Sequence, residues 1–159
     1  MKIYSFPPIA DSNSKVLVLG TMPGKDSLKF NQYYAHSRNA FWKIMFELFE
    51  QPYSNDYQEK QRLLLKHNIA LWDTLKVCVR ETSLDTDIKQ EEPNDVESLL
   101  LKHSKIQHLF FNGHKAAEYF RKHWSNTNIP FTVLPSTSPA NTQAYKNKLS
   151  QWQVIRQFT

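Results

Sequence analysis

Four short apolar runs, at residues 15–19, 69–72, 107–111 and 131–134, punctuate the chain, and each stops at a turn-forming or polar residue. Their brevity and near-continuous apolar character predict strands buried on both faces. Between them the spacing turns helical. Phe41, Ile44, Met45, Leu48 and Phe49 share one helix face, and residues 57–67, 96–103, 115–124 and 144–158 predict further helices. Pro93-Asn94-Asp95 reads as the cap signal of the helix at 96. Strands alternating with helices predict an open, parallel α/β sheet covered on both faces. Residues 83–94, acidic and predicted to be exposed, form the most loop-like interior stretch. No repeat or low-complexity tract divides the chain, so residues 1–159 read as a single domain.

In sheets of this kind, ligands sit beyond the carboxyl ends of the strands. Those ends carry Gly20-Thr21, Asp73-Thr74, Asn112-Gly113 and the run from Pro135 to Pro139, which the predicted topology gathers on one rim. The first connection is the unusual one. From Gly20 to Asn39 it is far longer than a strand-to-helix turn needs, and it holds Tyr33, Tyr34, His36 and Asn39. Long ordered loops are more often functional than merely connective. Flat aromatic faces beside amide and imidazole groups suit a planar, hydrogen-bonding ligand such as a nucleobase.

Composition narrows the setting. An apolar content of 40% with 13% aromatics describes a folded protein, and a net charge of +5 favours a polyanionic partner. The single Cys78 excludes an intramolecular disulfide and fits a reducing compartment. Neither a signal-peptide pattern nor an apolar run of membrane-spanning length is present, so a cytoplasmic protein without membrane association is expected. The six histidines lack the groupings of a metal site, and neither metal nor cofactor is expected. A monomer is the expectation for a basic domain of this size.

Each candidate motif also has a plainer structural reading. Gly20 to Lys25 is one residue short of a phosphate-binding P-loop, Asp26 replaces the magnesium-holding hydroxyl, and Pro23 removes an amide donor. Nucleoside triphosphate binding is therefore not predicted. Ser136, Thr137 and Ser138, stiffened by Pro135 and Pro139, offer small hydroxyls that can approach phosphates closely. The same run fits an ordinary turn, with Asn141 or Thr142 opening the last helix. Tyr33 and Tyr34 also fit a core, Asn39 an N-cap, and Asn112 a turn. Asp73, a carboxylate following a strand, is a candidate general base or a helix cap.

Taken together, Gly20-Thr21-Met22-Pro23-Gly24, the block from Gln32 to Trp42, Phe110-Phe111-Asn112-Gly113 and the run from Leu134 to Asn141 resemble the uracil-DNA glycosylase superfamily. Within it, they are most similar to the hypoxanthine-DNA (deoxyinosine) glycosylase branch, family 6. The Tyr-Tyr-Ala-His block is the specific one; Gly-x-x-Pro-Gly is shared more widely. The resemblance implies a three-layer α/β/α fold with a four-stranded parallel sheet, uracil-DNA glycosylase-like. It implies a monofunctional enzyme that needs no metal, flips a deaminated base out of double-stranded DNA and hydrolyses the bond between base and sugar.

The resemblance also implies where the chemistry sits. Met22 stands where the mismatch-specific uracil branch has a water-orienting Asn, and in the hypoxanthine branch the catalytic part passes to the position of Asn39. Leu134 stands where the main uracil branch has a His that stabilises the departing base. Ser37 replaces a proline common after the His, which bears on loop rigidity more than on chemistry. Asn39 is thus expected to hold the attacking water and Tyr34 to stack on the base. Gly20, Thr21, Met22 and Asn112 are expected to complete the base pocket, with backbone amides near Thr21 and Met22 stabilising the leaving base. Ser136, Thr137, Ser138, Pro139 and Asn141 are expected to meet DNA. Excision of uracil or xanthine is an alternative, as is a catalytically silent damaged-DNA-binding role.

Overall fold

The predicted apolar runs pair side by side in a computed structural model that describes residues 1–159. Strands β2 (Val16–Gly20), β3 (Ile69–Asp73), β6 (His108–Asn112) and β7 (Phe131–Leu134) form a parallel sheet in the order β3-β2-β6-β7. Val16, Leu17, Val18 and Leu19 are all fully buried because helices cover both faces. Val16, Val18, Ile69, Leu71 and Phe110 pack on α2 (Phe41–Leu48), α3 (Tyr57–Lys66) and α6 (Tyr145–Trp152). Leu17, Leu19, Ala70, Leu109 and Phe111 pack on α4 (Val96–Lys102) and α5 (His114–His123). The result is a three-layer α/β/α sandwich, each buried strand side chain contributing about 1.5–3 kcal/mol.

Register sets the rim. Leu19 faces Trp72 on one side and Phe111 on the other, Gly20 pairs with Asp73, and Asn112 pairs with Leu134. The strand ends therefore finish level, as parallel pairing without a slip requires. Two elements lie in stretches read from the sequence as irregular. Helix α1 (Lys25–Phe30) occupies the first long connection, too short for its periodicity to show. Residues 83–94 are largely exposed, as expected, but hold a short 3₁₀ turn (Asp85–Asp87) and strand β5 (Lys89–Pro93). With β1 (Lys2–Tyr4) and β4 (Leu75–Val79), β5 forms a small antiparallel sheet in the order β1-β4-β5. Its sequence, KQEEP, has no apolar alternation because it is an edge strand, recruited through its backbone and through Glu91, which accepts from Lys122 on α5 and lies 3.2 Å from His123.

The chain changes sheets at Thr74, between β3 and β4. Asn94, almost fully buried, secures that change: its Nδ2 donates to the carbonyls of Asp73 (2.8 Å) and Leu75 (3.0 Å). The helix cap proper is its neighbour Asp95, whose Oδ1 accepts from Ser98 N at 3.1 Å. No helix is long and apolar enough to cross a membrane.

Candidate active site

The two adjacent tyrosines both border a cavity but are held in different ways. Tyr33 is buried; its hydroxyl donates to Pro7 O at 2.8 Å and its own carbonyl accepts from Trp42 Nε1 at 2.7 Å. These bonds clamp the long connection onto α2. Tyr34 takes a left-handed backbone (φ 55°), which turns its ring the other way, onto Phe41 at 4.4 Å between centroids. Such a conformation costs a non-glycine residue about 1–2 kcal/mol and persists where the surroundings enforce it.

Tyr34 borders a cavity of about 610 Å³ beyond the strand ends, shared with Met22, Asn39, Asp73, Asp85 and Ser136. That volume lies in the range of small-molecule sites and admits a purine. Gly20, expected in the base pocket, does not line it but makes room for two groups that do by lacking a side chain. A Cβ there would lie 2.6 Å from Asp73 Oδ1 and 2.7 Å from the Tyr34 hydroxyl, so the requirement is one of space. The Tyr34 hydroxyl and Asp73 Oδ2 are both sealed from solvent without a hydrogen-bond partner. Burial, with the nearby Asp85 charge, pushes the Asp73 carboxyl up to about 7, Arg80 pulling partly the other way. Burial likewise pushes the Tyr34 phenol up, with the Asp73 charge adding and the Asn112 amide offsetting.

Asn39 precedes Ala40, the N-cap residue of α2, by one position. Its Oδ1 accepts from Phe41 N at 3.0 Å, capping α2, and the side chain also lines the cavity. An amide oxygen has two lone pairs, so the cap fixes the group while leaving one acceptor site.

The remaining predicted residues separate. Met22 lines the cavity; Thr21 does not, being buried with its hydroxyl against the Asp85 carboxylate. Asn112 is not placed to read a base edge. Its Nδ2 donates to Thr137 Oγ1 and its Oδ1 accepts from Thr137 N, both at 2.9 Å. Thr137 is correspondingly no DNA contact: it is fully buried and its carbonyl accepts from Ala40 N at 3.0 Å. This reciprocal pair, closed at both ends, ties β6, the serine loop and the start of α2 together. Ser136 and Ser138 do reach the cavity, and Pro139 lies between it and a neighbouring groove of about 920 Å³. Asn141 lines that groove, with its amide engaged by Ser136 O (2.9 Å) and Gln143 N (3.1 Å).

Three contributors had little or no local signal. Arg80, buried after β4, donates to Pro23 O and lies 3.8 Å from Asp85, bracing the Gly20 turn against the opposite wall. Ser83, Leu84, Asp85 and Thr86 supply that wall, in a stretch read as an exposed loop. Lys148 is buried on α6, its Nζ donating to Ser138 O (3.2 Å) and Asn141 O (2.9 Å). Its spacing of four from Trp152, whose Nε1 donates to Pro135 O at 2.9 Å, places both on the face that holds the serine loop.

A model of the uracil DNA glycosylase superfamily matches residues 7–158. The chain belongs to the uracil DNA glycosylase superfamily. Among curated superfamily relatives, a hypoxanthine DNA glycosylase of Methanosarcina acetivorans is 36% identical over 151 residues, covering 94% of this chain and 95% of its own length. One from Methanosarcina barkeri is 36% identical over 156 residues, covering 96% of each. The solution structure of a candidate uracil DNA glycosylase from Methanosarcina acetivorans superposes with a TM-score of 0.86 at 33% identity, over 98% of this chain and 97% of that one. The superfamily fold is thus shared across almost the whole chain.

Proposed function

We propose that the protein is a monofunctional DNA glycosylase that extrudes a deaminated base from duplex DNA and hydrolyses its bond to the sugar, with hypoxanthine in deoxyinosine as the substrate. The observation that carries this reading is the cavity beyond the strand ends, roomy enough for an extruded base and lined by both Tyr34 and Asn39. The two relatives named for hypoxanthine supply the choice of base.

Unstacking a base costs a few kcal/mol, least where pairing is already poor, as it is for hypoxanthine. Inside the cavity the Tyr34 face is the stacking platform, worth about 1–3 kcal/mol. Met22, Pro23 and Leu84 present carbon along the wall, against which the 2-amino group of guanine would be buried unpaired. Asn39 is neutral and cannot remove a proton as a true base. Its capped Oδ1 instead holds the attacking water with its free lone pair and favours positive charge developing on the sugar. Lys25, Arg38 and Lys43, distributed over the cavity and the adjoining groove, supply the positive rim that duplex DNA requires.

The test is a panel of duplexes carrying inosine, uracil, xanthine or no lesion, followed by alkaline cleavage at abasic sites. Strand breaks are expected foremost on inosine; binding of damaged duplex without breaks on any substrate would replace the enzyme with a damage sensor. Asn39→Ala is expected to lower single-turnover excision about 10²–10³-fold. An undiminished rate removes the role of Asn39.

A further inference from the structure

We propose that Asp73, which lines the same cavity as Asn39, is a further catalytic residue, whose carboxyl donates a proton to the base as it departs. The role rests on the glycosylase reading above.

The placement excludes the ordinary structural occupations for Asp73. It caps no helix, because strand β4 follows it after a single residue. It anchors no backbone turn, since Asn94 secures the change of sheet through the Asp73 and Leu75 carbonyls. It has no salt-bridge partner, Arg80 being turned to Pro23 O and Asp85. Yet the side chain is 3% exposed and lines the cavity, with Oδ2 unpartnered. Gly20 lets it reach there. The point a Cβ would occupy lies 2.6 Å from Asp73 Oδ1 and 2.7 Å from the equally unpartnered Tyr34 hydroxyl. Asp73 and Tyr34 thus converge beside Gly20; Oδ2 is sealed inside, and Oδ1, which has no hydrogen-bond partner and is not sealed, is the oxygen a bound base can meet.

The groups around Asp73 favour its neutral form. Asp85 on the 3₁₀ turn repels its charge, Arg80 beyond β4 partly offsets this, and the phenols of Tyr33, Tyr34 and Tyr57 feel the carboxylate from the long connection and α3. With burial as the leading cause, the carboxyl titrates at about 7, so much of it retains its proton at neutral pH. An ionised carboxylate would set two acceptors against the O6 acceptor of hypoxanthine. A neutral carboxyl instead donates to O6 or N7.

In the step, the bond between C1′ and the base nitrogen breaks and its electron pair leaves with the base. The Asp73 proton moves to the purine, releasing a neutral base and leaving a carboxylate. The water held by Asn39 adds to C1′ and loses its proton to solvent, which returns one to Asp73. Water alone is consumed.

The experiment is single-turnover excision from a deoxyinosine duplex between pH 5.5 and 8.5, with wild type and Asp73→Asn in parallel. The wild-type rate is expected to fall as pH rises through about 7, where the carboxyl loses its proton. Asp73→Asn keeps the shape and a hydrogen-bond donor but has no proton to transfer. Its rate is expected to be about 10²–10⁴-fold lower at pH 6 and flat across the range. Its melting curve and its affinity for a duplex carrying uncleavable 2′-fluorodeoxyinosine check that fold and binding are retained. A wild-type profile without the falling limb, or the same limb in Asp73→Asn, overturns the role of Asp73 while leaving the glycosylase intact. Absence of hypoxanthine release by wild type at every pH overturns both.

Discussion

At the scale of single residues, Asp73 and Gly20 set chemistry against stability. Burial lifts the carboxyl to about 7, so folding favours its neutral form. A folded-state pKa raised above the unfolded value contributes stability at low pH that is lost as pH climbs through the folded value. The protein should therefore lose stability from this group between about pH 4 and pH 8. Asp73→Asn is expected to raise the melting temperature at pH 8, by up to about 4 kcal/mol in stability, and to raise it by less than half as much at pH 5, where the folded carboxyl is still protonated. Melting curves at the two values check it, and an equal effect at both would contradict the buried charge. Gly20→Ala places its methyl group within 2.7 Å of both Asp73 and Tyr34. A loss of about 1–3 kcal/mol is expected, with excision falling further than stability alone accounts for, since both cavity groups must shift.

At the scale of elements, the serine loop is held from three sides. The reciprocal Asn112–Thr137 bonds join it to β6, Lys148 and Trp152 reach it from α6, and Ala40 N ties it to the start of α2. Hydroxyls read in sequence as a row of phosphate contacts thereby alternate, with Ser136 and Ser138 facing the cavity and Thr137 turned inward. Lys148→Met removes the donor to two loop carbonyls and is expected to cost about 1–3 kcal/mol, with weaker binding to undamaged duplex. Chemical denaturation and binding titrations measure the two effects. Unchanged DNA affinity in a destabilised variant would separate the loop from DNA recognition.

Over the whole molecule, the parallel sheet makes a level rim and the connection between β4 and β5, at Ser83 to Thr86, walls it. The cavity and the groove lie side by side on that rim, joined at Pro139, with Arg38 and Lys43 along the groove. This arrangement predicts that the duplex crosses the groove while the extruded base enters the cavity. Arg38→Ala with Lys43→Ala is expected to lower affinity for any sequence and to reduce the slope of log K against log salt by about 2, one for each lost phosphate contact. Salt titrations by fluorescence anisotropy measure that slope, and an unchanged value places the DNA elsewhere.

The four parallel strands, their helices and the parallel topology were legible in the sequence because apolar patterning is a local property, and Val16–Gly20 and Phe41–Leu48 carry it strongly, although Phe131 on the edge strand β7 stays exposed. The long connection likewise declared itself through Tyr34 and Asn39, and its specific block named the family. Elements whose stability comes from elsewhere were illegible. KQEEP becomes a strand only because β4 offers it a backbone edge, and α1 is too short to show a period. Side-chain direction was equally hidden. Tyr33 and Tyr34 are adjacent and alike and both border the cavity, yet a left-handed backbone at the second turns its ring onto Phe41, while the first is tied through its hydroxyl to Pro7 O. Asn112 and Thr137 satisfy each other across 25 positions, a partnership no local pattern encodes. Local chemistry decided which elements form and which residues could act; the tertiary structure decided which buried polar groups find partners and which, like Asp73, are left facing the cavity.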